Sequence, residues 1–189
     1  MNDIWTFLDS NFFQTIILVV TVIATFVLYR FQKWTERKEA ASIIVMQIDS
    51  VNKKTDFLLR ILGTEVSSFN EVAFWQAENV IEDSAWEKYR HLFVKTLNYN
   101  EIVALNNYYD NVISIKNQQC EVKKIISEMN IAFYNSKREV PDEVFKKERQ
   151  IPWLRVPTSY LDTILKEYEK ILNSRTAIPY ERLKKIARI

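Results

Sequence analysis

The sequence contains one histidine and one cysteine, and these two residues limit the chemistry that the chain could perform. His91 lies four residues after Glu87, so the two side chains share one face of a predicted helix. Such a carboxylate could orient the imidazole for proton transfer, although an ordinary structural pair has the same spacing. Cys120 has no second cysteine for a disulfide, and one histidine leaves most zinc sites without ligands. We therefore expect no metal, no cofactor and no enzyme activity.

The scarcity of glycine and proline favours helices. Glycine occurs once and proline four times among 189 residues. A single glycine excludes glycine-rich phosphate loops and dinucleotide-binding fingerprints, and it leaves few residues for tight β-hairpin turns. We predict an all-α fold in which an N-terminal transmembrane helix continues into a stalk helix and is followed by a cytoplasmic helical bundle.

Residues 12–29 form an uncharged, largely apolar segment of the length that a bilayer requires. As a helix, the segment spans about 27 Å, close to the hydrocarbon thickness of a membrane. A cleavable signal peptide is the alternative, but no basic residue precedes the segment and no small-residue cleavage site follows it. We predict a retained single-pass anchor at residues 12–29, with residues 1–11 as an outer tail.

Charged and aromatic flanks predict the orientation of this anchor. Basic residues follow the segment, whereas the tail before it has acidic groups only, so the tail lies outside and the remainder is cytoplasmic at the inner membrane. Tryptophan and tyrosine rings favour the membrane–water interface. The predicted membrane-interface residues are Trp5, Tyr29, Arg30, Lys33, Trp34, Arg37 and Lys38.

Residues 30–62 lack glycine and proline and are predicted to continue the helix as a stalk. An apolar stripe with one charged member, Arg37, runs along this stalk at spacings of three and four residues. The stripe predicts either packing on the chain's own domain or an interface between identical subunits. The residues of the possible subunit interface are Ala41, Ile44, Ile48, Val51, Thr55 and Leu58.

Residues 63–189 are predicted to form the helical domain. Gly63 ends the stalk, and helices are expected over residues 70–81, from Ser84 to residue 97, and from Asn100 onwards as one helix or as two that break near Asn117. A short helix over residues 142–149 lies between prolines, and further helices begin near Ser159 and after residue 179. The basic residues Arg155, Arg182, Lys184, Lys185 and Arg188 could contact nucleic acid or anionic lipid.

This layout resembles a group of small bacterial membrane proteins. The short tail, single anchor, basic juxtamembrane helix and small helical domain with Ser84-Ala-Trp-Glu-Lys-Tyr and Asn107-Tyr-Tyr resemble membrane proteins of phage defence, such as the HEPN-like membrane accessory protein of type VI-B CRISPR systems. The resemblance covers the layout of the whole chain and implies a HEPN-like helical fold and a membrane oligomer with a central pore. The HEPN ribonuclease signature, an arginine followed after four to six residues by histidine, is missing around His91 and after Arg155. The resemblance therefore carries no catalytic residue to this chain.

Three functions are compatible with the sequence. The first is a non-enzymatic membrane-anchored protein that forms homo-oligomers and acts on the inner membrane, as a pore-forming phage-defence effector or accessory subunit. The second is a membrane tether that recruits a cytosolic protein partner. The third is a membrane-bound RNA-binding protein or ribonuclease with a degenerate HEPN-like fold.

Overall fold

The computed structural model describes residues 11–62, 69–137 and 158–189. These ranges contain helices and no strand, which confirms the all-α prediction. The α-helices are α1 (Asn11–Leu62), α2 (Glu71–Gln76), α3 (Ala85–Tyr89), α4 (Tyr99–Lys137), α5 (Thr158–Arg175) and α6 (Tyr180–Ala187), and a 3-10 helix (Arg90–Leu92) follows α3. The predicted helix at residues 142–149, the cap at Gly63 and the side chains of Trp5 and Arg155 lie outside the described residues.

Helix α1 has two halves with opposite surroundings. It runs without a break for 52 residues, because no residue in it lacks a backbone N–H or favours left-handed angles. Residues 14–34 are all exposed, and this part is long and apolar enough to cross a membrane. Thr21 and Thr25 satisfy their hydroxyls within the helix, by donating to the carbonyls four residues earlier at 2.8 Å.

The second half of α1 forms the centre of the hydrophobic core. From Ala40 to Leu62 its apolar stripe is buried under side chains of the other helices. Helices α2, α3, α5 and α6 all contact α1, while α4 packs mainly against α5. Residues 40–62, predicted as a stalk, therefore share one core with residues 69–137 and 158–189.

Helix α6 runs antiparallel to α1, back towards the exposed apolar segment. The hydroxyl of Tyr180, at the start of α6, donates to Asp49 Oδ1 at 2.7 Å. Beyond the other end of α6, Arg188 Cζ lies 4.5 Å from the centre of the Trp34 ring. Leu183 and Ala187 are buried between these two contacts. This direction brings the basic end of the chain to the place where α1 leaves the core.

Helix α2 begins as predicted, with the Asn70 side chain accepting from the Ala73 N–H at 3.0 Å, but it ends at Gln76 and not at residue 81. Side chains of other helices bind the backbone of the following connection. Gln119 binds both Glu78 O and the Val80 N–H. These bonds replace the helical ones, and they place Val80 and Ile81 in the core in an irregular conformation.

The segment after Ser84 is also less helical than predicted. Ser84 caps α3 by accepting from the Glu87 N–H at 3.1 Å, and this confirms the predicted cap. The α-helix nevertheless ends at Tyr89, and the 3-10 helix and two turns complete the segment to Leu97. The predicted apolar face is preserved, since Trp86, Phe93 and Leu97 are buried.

Helix α4 is a single helix of 39 residues without a break near Asn117. Its cap is Asn98 rather than the predicted Asn100. The Asn98 side chain accepts from the Glu101 N–H at 2.9 Å, and the Glu101 carboxylate accepts from the Asn98 N–H at 2.8 Å. This reciprocal pair satisfies two N–H groups that a helix start leaves without partners. Helix α5 begins at Thr158, next to the predicted start.

Candidate functional site

A surface groove with a clear chemical character lies where α1 leaves the core. Its volume is about 850 Å³, and one wall is the part of α1 between residues 26 and 37. The other wall is the 3-10 helix and the turn after it, at residues 91–95. The lining residues are Phe26, Tyr29, Arg30, Lys33, Trp34, Arg37, His91, Leu92, Val94 and Lys95. We call this feature the basic aromatic groove.

The second wall of the groove is held in place by the core. Phe93 is fully buried and its ring lies 6.1 Å from the Trp86 ring. Arg37 Nε donates to Leu92 O at 3.1 Å and so ties α1 to this segment directly. With Phe93 facing inwards, Val94 and Lys95 are exposed. The wall therefore presents one apolar and one cationic side chain at a fixed position.

The cations of the groove are distributed along its length. Arg30 Cζ lies 5.7 Å from the Phe26 ring centre, within the range of a cation–π contact. Lys33 forms an ion pair with Glu36 at 2.9 Å. The hydrogen bond to Glu36 and its charge raise the pKa of Lys33, so this amine stays protonated at neutral pH. Arg188 adds a further positive charge beside Trp34.

Most of the predicted membrane-interface residues meet in this groove. Tyr29, Arg30, Lys33, Trp34 and Arg37 all line it, whereas Lys38 is half-buried and does not. The pattern of residues 91–95 does not itself predict that they form the opposite wall. Arg37 was the one available signal, since a charged residue in an apolar stripe must have a polar partner within the fold.

The basic residues near the C-terminus do not form one surface. Arg182 binds Glu101 with its Nη1 at 2.7 and 2.8 Å and Thr96 O with its Nη2 at 2.5 Å. Burial alone would raise the pKa of Glu101, but the bonds from Arg182 and from the Asn98 N–H hold it below the usual value. Lys184 is half-buried, 5.7 Å from the Tyr180 ring centre. Lys185 stays exposed, and only Arg188 lies beside the groove.

The six residues of the possible subunit interface are buried within a single chain. Ala41, Ile44, Ile48, Val51, Thr55 and Leu58 are each exposed by 2% or less. The structure thus follows the other interpretation of the stripe, packing on the chain's own helices. In this structure these residues are not accessible to a second subunit.

A polar strip on α1, formed by Asp49, Asn52 and Asp56, lies beside the apolar stripe and accepts hydrogen bonds from tyrosines of three helices. Tyr108 of α4 donates to Asn52 at 2.9 Å, Tyr168 of α5 to Asp56 at 3.1 Å, and Tyr180 to Asp49. Arg175 binds Asp56 at 2.9 Å. The hydrogen bond to Asp49 and burial raise the pKa of Tyr180 to about 12, and burial raises that of Tyr108. We interpret this strip as structural, because its polar atoms already bind one another.

The possible proton-transfer pair does not form. Glu87 and His91 are both exposed, and in the part of the chain that the structure describes no hydrogen bond or ion pair joins them. The change from α-helix to 3-10 helix at Arg90 removes the regular four-residue spacing. Among the same residues, no group of three histidine, cysteine or acidic side chains could hold a metal ion.

Comparison with protein-family models, with curated proteins and with solved structures found no match. The features that bear on function are the groove and the exposed part of α1. The groove is an elongated cationic site with an aromatic end, and it lies next to an exposed apolar helix.

Proposed function

We propose that this protein is a non-enzymatic, single-pass membrane tether that holds a cytoplasmic helical domain against the inner membrane and presents it to a cytosolic protein partner. One observation carries the proposal. A single unbroken helix has an apolar segment that is exposed from residue 14 to residue 29, and a second half that forms the centre of the core. An exposed apolar helix of this length is satisfied by a bilayer and not by water.

The continuity of α1 makes the tether short and stiff. Ten residues lie between Tyr29, at the expected end of the hydrocarbon, and Ala40, where the core begins. The rise from Tyr29 to Ala40 is about 16 Å along the helix. No flexible linker intervenes, because every residue between them is helical. The domain therefore keeps a fixed distance from the membrane.

Charge supports the cytoplasmic placement of the domain. The groove residues Arg30, Lys33, Arg37 and Lys95 and the neighbouring Arg188 cluster at one end of the apolar segment. The tail before the segment contains only acidic charges. This asymmetry favours a cytoplasmic position for the basic end.

Exposed apolar side chains on α2 support recruitment of a protein partner. Val72 and Trp75 are exposed by 67% and 51%, and they share one face of the helix at a spacing of three residues. Aromatic residues with exposed apolar neighbours are typical of protein-binding surfaces. The basic residues near the C-terminus are dispersed, so they give little support to an RNA-binding function.

The native cysteine tests the membrane topology without any engineered label. Cys120 is the single cysteine of the chain and is exposed on α4. A membrane-impermeant maleimide should label it in inverted inner-membrane vesicles and fail to label it in intact spheroplasts. The protein should also stay in the membrane pellet after extraction at alkaline pH.

The control for this experiment is Cys120→Ser, which should remove all labelling. Labelling from the outside only would reverse the orientation. Release of the protein into the soluble fraction would contradict the anchor itself.

A second candidate function, an oligomeric effector that permeabilises the membrane, is favoured by the outward face of α1. Ile43, Met46 and Phe57 are exposed by 43%, 66% and 54% and share one heptad register with the exposed residues Ser50 and Lys53, so they form a stripe on the outward face of α1. A second copy of the chain could cover this stripe. The phage-defence role that the resemblance implies belongs to this candidate.

The mass of the detergent-solubilised protein separates the two functions. The tether should be a monomer or dimer by light scattering corrected for bound detergent. A discrete assembly of six or more chains that dissociates on Met46→Glu would instead support the oligomeric effector. Asn117→Glu, at an exposed position of α4, is the matched control for an added charge.

A further inference from the structure

We propose that the basic aromatic groove binds the headgroup of one anionic phospholipid from the cytoplasmic leaflet. The inference rests on the proposed membrane orientation and adds a specific ligand to it. The site would fix the rotation of the domain about the anchor, in addition to the distance that α1 already sets.

The position of the groove along α1 matches the depth of a phospholipid. With Tyr29 at the edge of the hydrocarbon, Phe26 lies about 4.5 Å inside it and Lys33 about 6 Å outside it. The headgroup layer on each side of a bilayer is about 5–7 Å thick. The aromatic end of the groove thus lies beside acyl chains, while Arg30 and Lys33 lie beside phosphates.

The charges of the groove suit a phosphate diester. Four cationic side chains line it: Arg30, Lys33, Arg37 and Lys95. Glu36 neutralises Lys33. Arg37 uses Nε to bind Leu92 O, and this bond orients the guanidinium while its Nη groups have no partner among the described residues. Arg37 is about 12 Å beyond Tyr29 along α1. Because side chains on a helix lean towards its N-terminus, the guanidinium lies closer to the headgroup layer than the backbone does, and it can bind two phosphate oxygens together.

The second wall, at residues 91–95, gives the groove a defined shape that the basic part of α1 alone would not have. Lys95 comes from a segment that is distant in sequence and is held by the buried Phe93. Exposed Val94 stands beside it and can contact the upper part of an acyl chain. A ligand that fits has a negative headgroup between two protein walls and an apolar tail pointing along α1 towards Phe26.

Nucleic acid fits this groove less well than lipid. The aromatic end would lie inside the hydrocarbon, where a sugar–phosphate chain cannot follow. The clustered cations would also face the membrane surface, where anionic lipids are concentrated.

The experiment measures lipid retention by the full-length protein in detergent, using native mass spectrometry. The probes are phosphatidylglycerol and phosphatidylcholine with identical acyl chains. One bound phosphatidylglycerol is expected, with a dissociation constant about 25-fold lower than that of phosphatidylcholine if two cations contribute about fivefold each. Lys95→Gln should weaken phosphatidylglycerol binding about fivefold; because Lys95 is exposed, the variant should fold normally.

Lys53→Gln is the matched control. Lys53 is an exposed lysine on α1, about 36 Å beyond Tyr29, and its removal should leave lipid binding unchanged. Equal binding of the two lipids, or equal losses in the two variants, would overturn the site. Displacement of the lipid by inorganic phosphate at constant ionic strength would assign the groove to a soluble phosphate compound and also overturn the proposal.

The lipid site and the membrane tether can fail separately. Cytoplasmic labelling of Cys120 together with equal binding of the two lipids would remove the lipid site and keep the tether. Release of the protein by alkaline extraction would remove both.

Discussion

Replacing Ile48 with alanine is expected to lower the free energy of unfolding by about 2–5 kcal/mol, the usual cost of a large-to-small change in a packed core. Ile48 is fully buried in the centre of α1. Its removal leaves a cavity between helices that cannot all move to fill it, because α1 is bound to α4, α5 and α6 through its polar strip. Met46→Ala, two residues away, should change stability by less than about 0.5 kcal/mol.

The measurement is denaturant unfolding of the full-length protein in detergent micelles, followed by far-ultraviolet circular dichroism. Met46 is the matched control because it lies on the same helix and is exposed by 66%. The experiment is repeated at two protein concentrations. If the loss at Ile48 depended on concentration, the stripe would stabilise a subunit interface, and the intramolecular packing in the structure would be contradicted.

The buried apolar stripe of α1 shows why periodicity predicts a helix but does not predict which helix covers it. Apolar residues at spacings of three and four define a helical face that must be buried. The pattern is the same whether the covering helix comes from the same chain or from another. The polar strip is what fixes the partner here, and it too is visible in the sequence, since Asp49, Asn52 and Asp56 follow one another at spacings of three and four. The hydrogen-bond partners of this strip are tyrosines more than 50 residues away in the sequence, so its spacing alone does not identify them.

Only one wall of the basic aromatic groove could be predicted from the sequence. Tyr29, Arg30, Lys33 and Trp34 follow from the flanking rules for a membrane helix. Lys95 and Val94 do not, because they reach the groove only through the burial of Phe93 and the irregular turns after α3. Those turns replace a helix that the local sequence favours, so tertiary contacts override propensity there.

Replacing Gln119 with leucine should lower the free energy of unfolding by about 2–4 kcal/mol, because two backbone groups lose their partner. Gln119 is fully buried on α4. Its Oε1 accepts from the Val80 N–H at 3.1 Å, and its Nε2 donates to Glu78 O at 2.8 Å. Leucine fills a similar volume and leaves both groups without a hydrogen bond.

The same residue explains why α4 could be read as two helices. Its apolar stripe is interrupted between Ile115 and Val122, and that gap suggested a break near Asn117. Gln119 occupies the buried position in the gap and binds the connection after α2. A polar residue at a core position can therefore indicate a loop that crosses the helix.

Gln118→Leu is the control for Gln119→Leu. Gln118 is the adjacent residue of the same type and is only partly buried, so its replacement should change stability by less than about 0.5 kcal/mol. Hydrogen exchange at the Val80 amide supplies a local readout and should become much faster in Gln119→Leu alone. Equal stability of the two variants, with the Val80 amide still protected, would mean that the connection after α2 is held by the core packing of Val80 and Ile81 and that the hydrogen bonds of Gln119 contribute little.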